Sequence, residues 1–288
     1  MDKPTTAAGY SDEQVALVRA TCLYVATKLG DLMDELVIIG GLVPSLIVDQ
    51  ANLAEGVERH VGTLDLDIGL SIAVLNEQHY RTVAERLRAA NFEPDNNEKG
   101  NRTNQRWKIE GNGKVTVDFL IPPTHEDDRP GALRNLEEDF AAVIAPGLHL
   151  AFSDNMLITL TGETILGEKA TRDVRVCGPG AYVVLKALAF ANRGENKDAY
   201  DLYYVVRNYA DGPLDVAKRV LTLGEDPKLA EAVNIVRRDF LDVKSVGVMR
   251  ATAFIRGEGV ADDNLQTDIA GFLGTFLDHY DALSSVSE

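Results

Sequence analysis

Thr63-Leu-Asp-Leu-Asp-Ile-Gly-Leu-Ser-Ile72 decides how this 288-residue chain is read. Leu64, Leu66, Ile68 and Leu70 recur at every second position, the period of a β-strand with one apolar face. The opposite face carries Thr63, Asp65, Asp67 and Gly69. Two carboxylates therefore project side by side from a backbone that is otherwise apolar. Like charges this close raise one pKa unless a cation lies between them. Paired carboxylates with room for water and phosphate oxygens are a donor set for a hard divalent ion such as magnesium. Taken alone, Asp-x-Asp is also what the outward face of an edge strand looks like.

Its neighbours narrow the choice. Upstream, Leu36–Ile39 is a short apolar run closed by Gly40-Gly41, read as a buried strand ending in a tight turn. Leu42 to Val48 then suits a helix start, with Pro44 tolerated in the first turn. Backbone N–H groups at such a start suit a phosphate, although a plain strand-to-helix turn has the same sequence. Residues 49–62 are polar and loop-like. Downstream, strands are predicted at Arg106–Glu110 and Lys114–Ile121, joined by the hairpin signal Gly111-Asn112-Gly113. Asp118 stands in the second, nearly all-apolar strand, where a charge is costly unless paired or metal-bound. Three carboxylates on adjacent strands beside a glycine turn point to metal-assisted phosphoryl transfer.

The rest of the chain frames this centre. Helices are predicted over 11–29 and 77–90, short strands separated by Gly and Asp turns over 147–176, and helices over 181–192, 197–210, 213–222, 227–241 and 265–284. Gly178-Pro179-Gly180 marks the boundary between an α+β part (1–178), a mixed sheet flanked by helices, and a helical domain (179–288) expected to close one side of the site. Lys186 lies in an almost wholly apolar helix, so it must snorkel, pair or face a cavity, with Asp201 a candidate partner. Asp201 could equally form an i,i+4 surface pair with Lys197.

Composition is that of a globular protein, with 45% apolar and 26% charged residues. Two cysteines, Cys22 and Cys177, cannot build a four-ligand metal site alone and suit a reducing compartment. No apolar run reaches the ~18 residues of a membrane span, and the N-terminal stretch has no apolar core of a secretory signal. A cytoplasmic protein without membrane contact is the expectation. Forty-five acids against 29 bases give a net charge of −16, the opposite of the usual balance in a nucleic-acid binder. Bases concentrate only between residues 99 and 114, where Lys99, Arg102, Arg106, Lys108 and Lys114 face one acid, Glu110. That hairpin is either a solvated charged face or the place where a nucleic acid binds.

In order along the chain, Gly40-Gly41, Asp65-x-Asp67 and Asp118 resemble the DNA polymerase β-type nucleotidyltransferase superfamily. Within it the closer resemblance is to the abortive-infection AbiEii-like and MenT-type nucleotidyltransferase toxins. Their Lys-x-x-x-Thr-x-x-Arg motif stands here as Lys99, Thr103 and Arg106, and their helical lysine and Asp-x-x-Asp-Leu run as Lys186 and Asp198-Ala-Tyr-Asp201-Leu202. The resemblance covers about residues 36–205, with one departure: 23 residues separate Gly41 from Asp65, so 49–62 reads as an insertion. It implies a magnesium-dependent transfer of a nucleoside monophosphate from an NTP to an acceptor hydroxyl of tRNA or protein, by the toxin of a toxin–antitoxin or abortive-infection system with a cognate antitoxin. Asp65, Asp67 and Asp118 would hold the metal, and Asp118 would help deprotonate the acceptor. Lys186 and Asp201 would join them in catalysis, and Gly40, Gly41, Thr63, Lys99, Arg106 and Lys186 would bind the nucleotide. An aminoglycoside-type nucleotidyltransferase, whose cationic substrate suits an acidic cleft, and a catalytically idle nucleotide-binding module are the alternatives.

Overall fold

The computed structural model describes residues 3–71, 77–96 and 99–285; Ile72, the last residue of the decisive stretch, lies outside them. The chain divides into two compact units: Asp12–Val43 with Gly62–Cys177, and Met1–Ser11 with Pro44–Val61 and Gly178–Glu288. The compositional boundary at 178 coincides with one crossing between them. A single cut there would leave Met1–Ser11 and Pro44–Val61 with the sheet, whereas packing puts both with the helices. Ring contacts hold them: Tyr10 lies 5.8 Å from Phe254, and His60 lies 5.2 Å from Tyr200.

The first unit is α+β, a mixed sheet flanked by helices. In chain order it contains α1 (Asp12–Leu29) and β1 (Leu36–Ile39), after which α2 (Val43–Ile47) leads the chain out of the unit. It resumes with β2 (Asp65–Leu70), α3 (Glu77–Ala89), β3 (Glu93–Asn96), β4 (Arg102–Glu110) and β5 (Lys114–Ile121). It ends with β6 (Leu133–Glu137), β7 (Phe140–Ile144), α4 (Leu150–Ser153), β8 (Asn155–Glu163) and β9 (Lys169–Cys177). The strands are ordered β3-β4-β5-β2-β1-β9-β8, and β7 branches off β5 carrying β6. Pairing is parallel at β2–β5, β1–β9 and β5–β7, and antiparallel elsewhere.

Period-2 alternation sorts the central strands into two faces. Leu66, Val117 and Trp107 share one cross-strand row, and Asp67, Asp118 and Arg106 share the next, on the other side. The first row is fully buried beneath α1 and α3, with the Arg88 guanidinium of α3 5.4 Å over the Trp107 ring. Burial of this apolar face orients the sheet, and the carboxylates are thereby turned to the opposite side.

The second unit is built on α5 (Pro179–Arg193), α6 (Asn196–Asn208), α7 (Pro213–Leu221), α8 (Pro227–Phe240), α9 (Val246–Arg256) and α10 (Asp263–Ser284). The apolar stripe of α10 is buried at Ile269, Leu273, Phe276 and Leu277, as a core face should be. Five elements lack a sequence prediction, among them α4, a single helical turn inside the 147–176 region read as strands. β3 and β6 are polar edge pieces, β7 is five residues long, and α9 begins at Val246-Gly247, where the glycine is required because a Cβ would lie 2.5 Å from the Phe240 ring. The expected short strands over 147–176 are instead one hairpin, paired without interruption from Asn155↔Cys177 to Glu163↔Lys169. Asp173, which reads as a turn residue, is mid-strand and accepts from the Thr159 hydroxyl at 2.6 Å. No helix among the described residues is long and apolar enough to cross a membrane.

Candidate metal centre

Register assembles the acidic cluster. β2 and β5 run parallel with Asp65↔Thr116 and Asp67↔Asp118 opposed, so the Asp-x-Asp pair and a carboxylate some 50 residues later meet on one face. One oxygen from each of Asp65, Asp67 and Asp118 lies within 4.8 Å of the others. Asp65 and Asp118 are nearly buried, at 4% and 9% exposure, so bulk water screens their mutual repulsion poorly. All-carboxylate oxygen donors at this spacing fit a hard divalent cation.

Two neighbours hold the cluster in place. The Thr63 hydroxyl donates to Asp65 Oδ1 at 2.8 Å, which fixes the rotamer of that carboxylate. Thr63, expected at the nucleotide, thus acts on Asp65. The antiparallel pair Ile39↔Asp67 brings the Gly40-Gly41 turn beside β2. Gly40 has φ +73°, and a Cβ there would stand 1.9 Å from Asp67 Oδ2. Only glycine satisfies both the left-handed backbone and the close approach. The helix expected after this turn is short: a 3-10 turn over Gly40–Leu42 precedes α2, itself five residues long. What Gly40 supplies here is space for the Asp67 carboxylate.

Arg106 reaches the cluster from β4. Its Nε donates to Asp118 Oδ1 at 2.7 Å and its Nη2 to Oδ2 at 2.5 Å, a two-pronged charge-assisted contact. The hydrogen bonds to Asp118, reinforced by the charges of Asp118, Asp65 and Asp67, raise the guanidinium pKa against the cost of burial. Lys99 is exposed, ahead of β4, and Thr103 points to the face opposite Arg106, donating to the Asp95 carbonyl at 2.8 Å. The three residues of that motif therefore do not converge on one point.

The other bases of the 99–114 hairpin meet carboxylates. Lys108 pairs with Glu93 at 2.9 Å and Glu110 at 3.5 Å, Lys114 with Asp95 at 3.0 Å, and Arg102 with Asp139 at 3.4 Å. The excess of bases counted along the chain is matched by acids arriving from β3 and the β6–β7 turn.

Lys186 and Asp201 belong to the helical unit, where they form a cluster of their own. Lys186 Nζ lies 2.9 Å from Asp198 Oδ1 and 2.7 Å from Asp201 Oδ2. Lys197 Nζ donates to both oxygens of Asp201, at 2.8 and 2.9 Å. This i,i+4 pair is not the surface pair considered from sequence: the Asp201 side chain is 0% exposed. Arg193 adds a fork on Asp198, with Nε to Oδ2 at 2.6 Å and Nη2 to Oδ1 at 2.8 Å. Burial opposes the charge on Lys186, but its two carboxylates outweigh it and raise the pKa. Lys197 shares only Asp201 and faces a second ammonium, so burial prevails and lowers its pKa. Burial likewise works against the carboxylates, yet Lys186 and Arg193 hold Asp198 low, and Lys186 and Lys197 hold Asp201 well below the usual range.

His60, in the 49–62 segment, completes this cluster and has no sequence signal. Its Nε2 lies 2.9 Å from Asp201 Oδ1, across 141 residues. Burial pushes its pKa down to about 4 despite the carboxylate, so the ring is neutral near pH 7. A neutral ring facing an ionised carboxylate carries its proton on Nε2 and donates it. The imidazole stacks on Tyr200 and meets Tyr204 edge-on at 4.9 Å.

No family model matches this chain, and no curated protein matches it. Among solved structures it is similar to the crystal structure of JHP933 from Helicobacter pylori, at 13% identity over 97% of this chain and 100% of that one, with a TM-score of 0.43.

Proposed function

We propose that this protein is a magnesium-dependent nucleotidyltransferase that moves a nucleoside monophosphate from an NTP to an acceptor hydroxyl and releases pyrophosphate. One observation carries the reading: three carboxylates from two parallel strands place oxygens within 4.8 Å of one another, with Gly40 shaped to admit Asp67. The order of motifs shared with the AbiEii-like and MenT-type toxins supports a role as the toxin of a toxin–antitoxin pair. Magnesium bound at Asp65, Asp67 and Asp118 would supply charge stabilisation at the α-phosphate and acidify the acceptor hydroxyl. The protein's own groups prepare that site. Thr63 holds Asp65, the Gly40 turn leaves Asp67 its rotamer, and the Arg106 fork fixes Asp118, on which the acceptor proton would be placed. Lys186 enters this reading as a phosphate ligand only if it exchanges one of its two carboxylate partners for the nucleotide.

The ion-paired hairpin favours a second reading of the acceptor. With Arg102, Lys108 and Lys114 each on a carboxylate, and −16 overall, a small cationic substrate suits this chain better than RNA. One experiment tests both. Each α-labelled NTP is incubated with magnesium and either total tRNA, protein or an aminoglycoside. Label on one acceptor class, absent with Asp65→Asn and Asp67→Asn, is expected. No transfer to any acceptor, with NTP binding retained in both variants, would leave only the idle nucleotide-binding module.

A further inference from the structure

The two ends of the main strand order differ in how they are finished. β3, at one end, is four residues long, carries Pro94 between Glu93 and Asp95, and shifts register against β4 between Pro94 and Asn96. Short length, proline, charge and irregular pairing are the devices that stop a strand from adding to another chain. β8, at the other end, is long, regular and free of proline, and its one charge is the last residue, Glu163. It runs nine residues, Asn-Met-Leu-Ile-Thr-Leu-Thr-Gly-Glu, in unbroken register with β9. Leu157 is 64% exposed, and Thr159 and Thr161 beside it on the same face are also exposed. Leu160, on the other face, is buried in the core, so the strand is firmly part of the sheet.

We propose that β8 is a self-association edge, and that two copies of this chain join by antiparallel pairing of their β8 strands about a two-fold axis at Thr159. Charge selects a second copy as the occupant. The chain carries −16, yet the hairpin 155–177 is balanced, with Lys169, Arg172 and Arg175 against Glu163, Glu168 and Asp173. Here two acidic molecules meet without net local repulsion, and the rest of their charge is screened beyond ~8 Å at physiological salt. Register supports the same partner. Only a two-fold at Thr159 pairs all nine residues, and it sets Leu157 against the second copy's Thr161 and Asn155 against its Glu163. No like charges are opposed, and the exposed Leu157 is covered. The gain is main-chain hydrogen bonding along the whole edge, the means by which strand addition achieves affinity.

The 288-residue chain is examined by light scattering and sedimentation at concentrations up to the hundred-micromolar range. A mass twice the 31.4 kDa of one chain is expected. Leu157→Lys with Thr161→Lys, both at exposed positions, should halve that mass while the circular dichroism and melting temperature stay the same. A second pair of variants works even if the lysines disturb folding. The native Cys22 and Cys177 are both fully buried, so an added thiol at the edge is the reactive one. Thr159→Cys faces its own counterpart across the axis and should form an intermolecular disulfide on oxidation. Leu157→Cys faces Thr161 and should not. A single-chain mass for the unmodified protein, a dimer that persists with both lysines, or cross-linking at 157 in place of 159 overturns the proposal.

Discussion

In the sheet unit, Asp65, Asp67 and Asp118 bring three carboxylates within 4.8 Å of one another, and Arg106 forks onto one of them. In the helical unit, Asp198 and Asp201 are ringed by Lys186, Lys197 and Arg193, with His60 donating to Asp201. Both clusters are buried or half-buried aspartates among apolar neighbours, yet they answer the cost of burial differently. The helical cluster matches each carboxylate with cations, so every member is needed by the others. The sheet cluster collects like charges, an arrangement that works against folding and that a bound cation reverses. Removing an aspartate should therefore have opposite signs in the two places.

The largest effect is expected in the helical unit. Asp201→Ala strands Lys197 without its carboxylate and takes one from Lys186, at a cost of about 3–5 kcal/mol. Urea unfolding of the variant against the unmodified protein reads this directly. A loss below about 1 kcal/mol would place Asp201 among surface pairs and erase the contrast.

His60 sharpens it through pH. In the unfolded chain its imidazole takes up a proton near pH 6.5, whereas in the fold burial delays this to about 4. The unfolded state binds the extra proton between those values, so stability falls as pH drops through 6.5 toward 4, by about 3 kcal/mol in all. Asp198 and Asp201, held low, contribute their losses only below the ordinary carboxylate range. His60→Gln keeps an N–H donor without a titrating ring, and its stability between pH 6.5 and 4 should lose that slope.

The sheet cluster should respond in the other direction. Asp67→Asn relieves repulsion, so the melting temperature without metal is expected to stay level or rise. Transfer activity should fall at least about a hundredfold, about 2.7 kcal/mol in barrier. Magnesium should raise the melting temperature of the unmodified protein and leave that of the variant unchanged. A variant that melts much earlier would show the aspartate to be structural.

Gly40→Ala is expected to cost about 1–2 kcal/mol, from the left-handed backbone and from displacing Asp67 out of its rotamer. Because the displaced group is a proposed ligand, calorimetric titration should show weaker magnesium binding than the stability loss alone suggests. The smallest effect concerns the hairpin. Arg102→Glu with Lys108→Glu should change RNA labelling by less than about threefold, because those bases already sit on carboxylates. A complete loss of label would restore the hairpin as an RNA-binding surface.

How much of this was legible in the sequence depends on range. The alternation of Leu64, Leu66, Ile68 and Leu70 predicts β2 and the face on which Asp65 and Asp67 lie. The Gly111-Asn112-Gly113 signal predicts the β4–β5 hairpin, and 3.6-residue periodicity predicts five of the six helices from Pro179 onward. The partnership of Lys186 with Asp201 was also visible as one of two readings. By contrast, the nine-residue β8–β9 hairpin reads as fragments, because Asp173 and Gly162 look like turn residues until a facing strand is in place.

The sequence by itself determined the local elements and the residue types that carry charge, since side-chain periodicity and turn chemistry act over a few residues. Only the tertiary structure decided what each charge meets. Parallel register put Asp118 beside Asp67, the β1–β2 pairing pressed Gly40 against Asp67, and Glu93, Asp95 and Asp139 matched the bases of the hairpin. It also carried His60 to Asp201 across 141 residues. These contacts follow from strand order and core burial, which no short window of sequence encodes, and a charge has no settled chemistry until its neighbours are known.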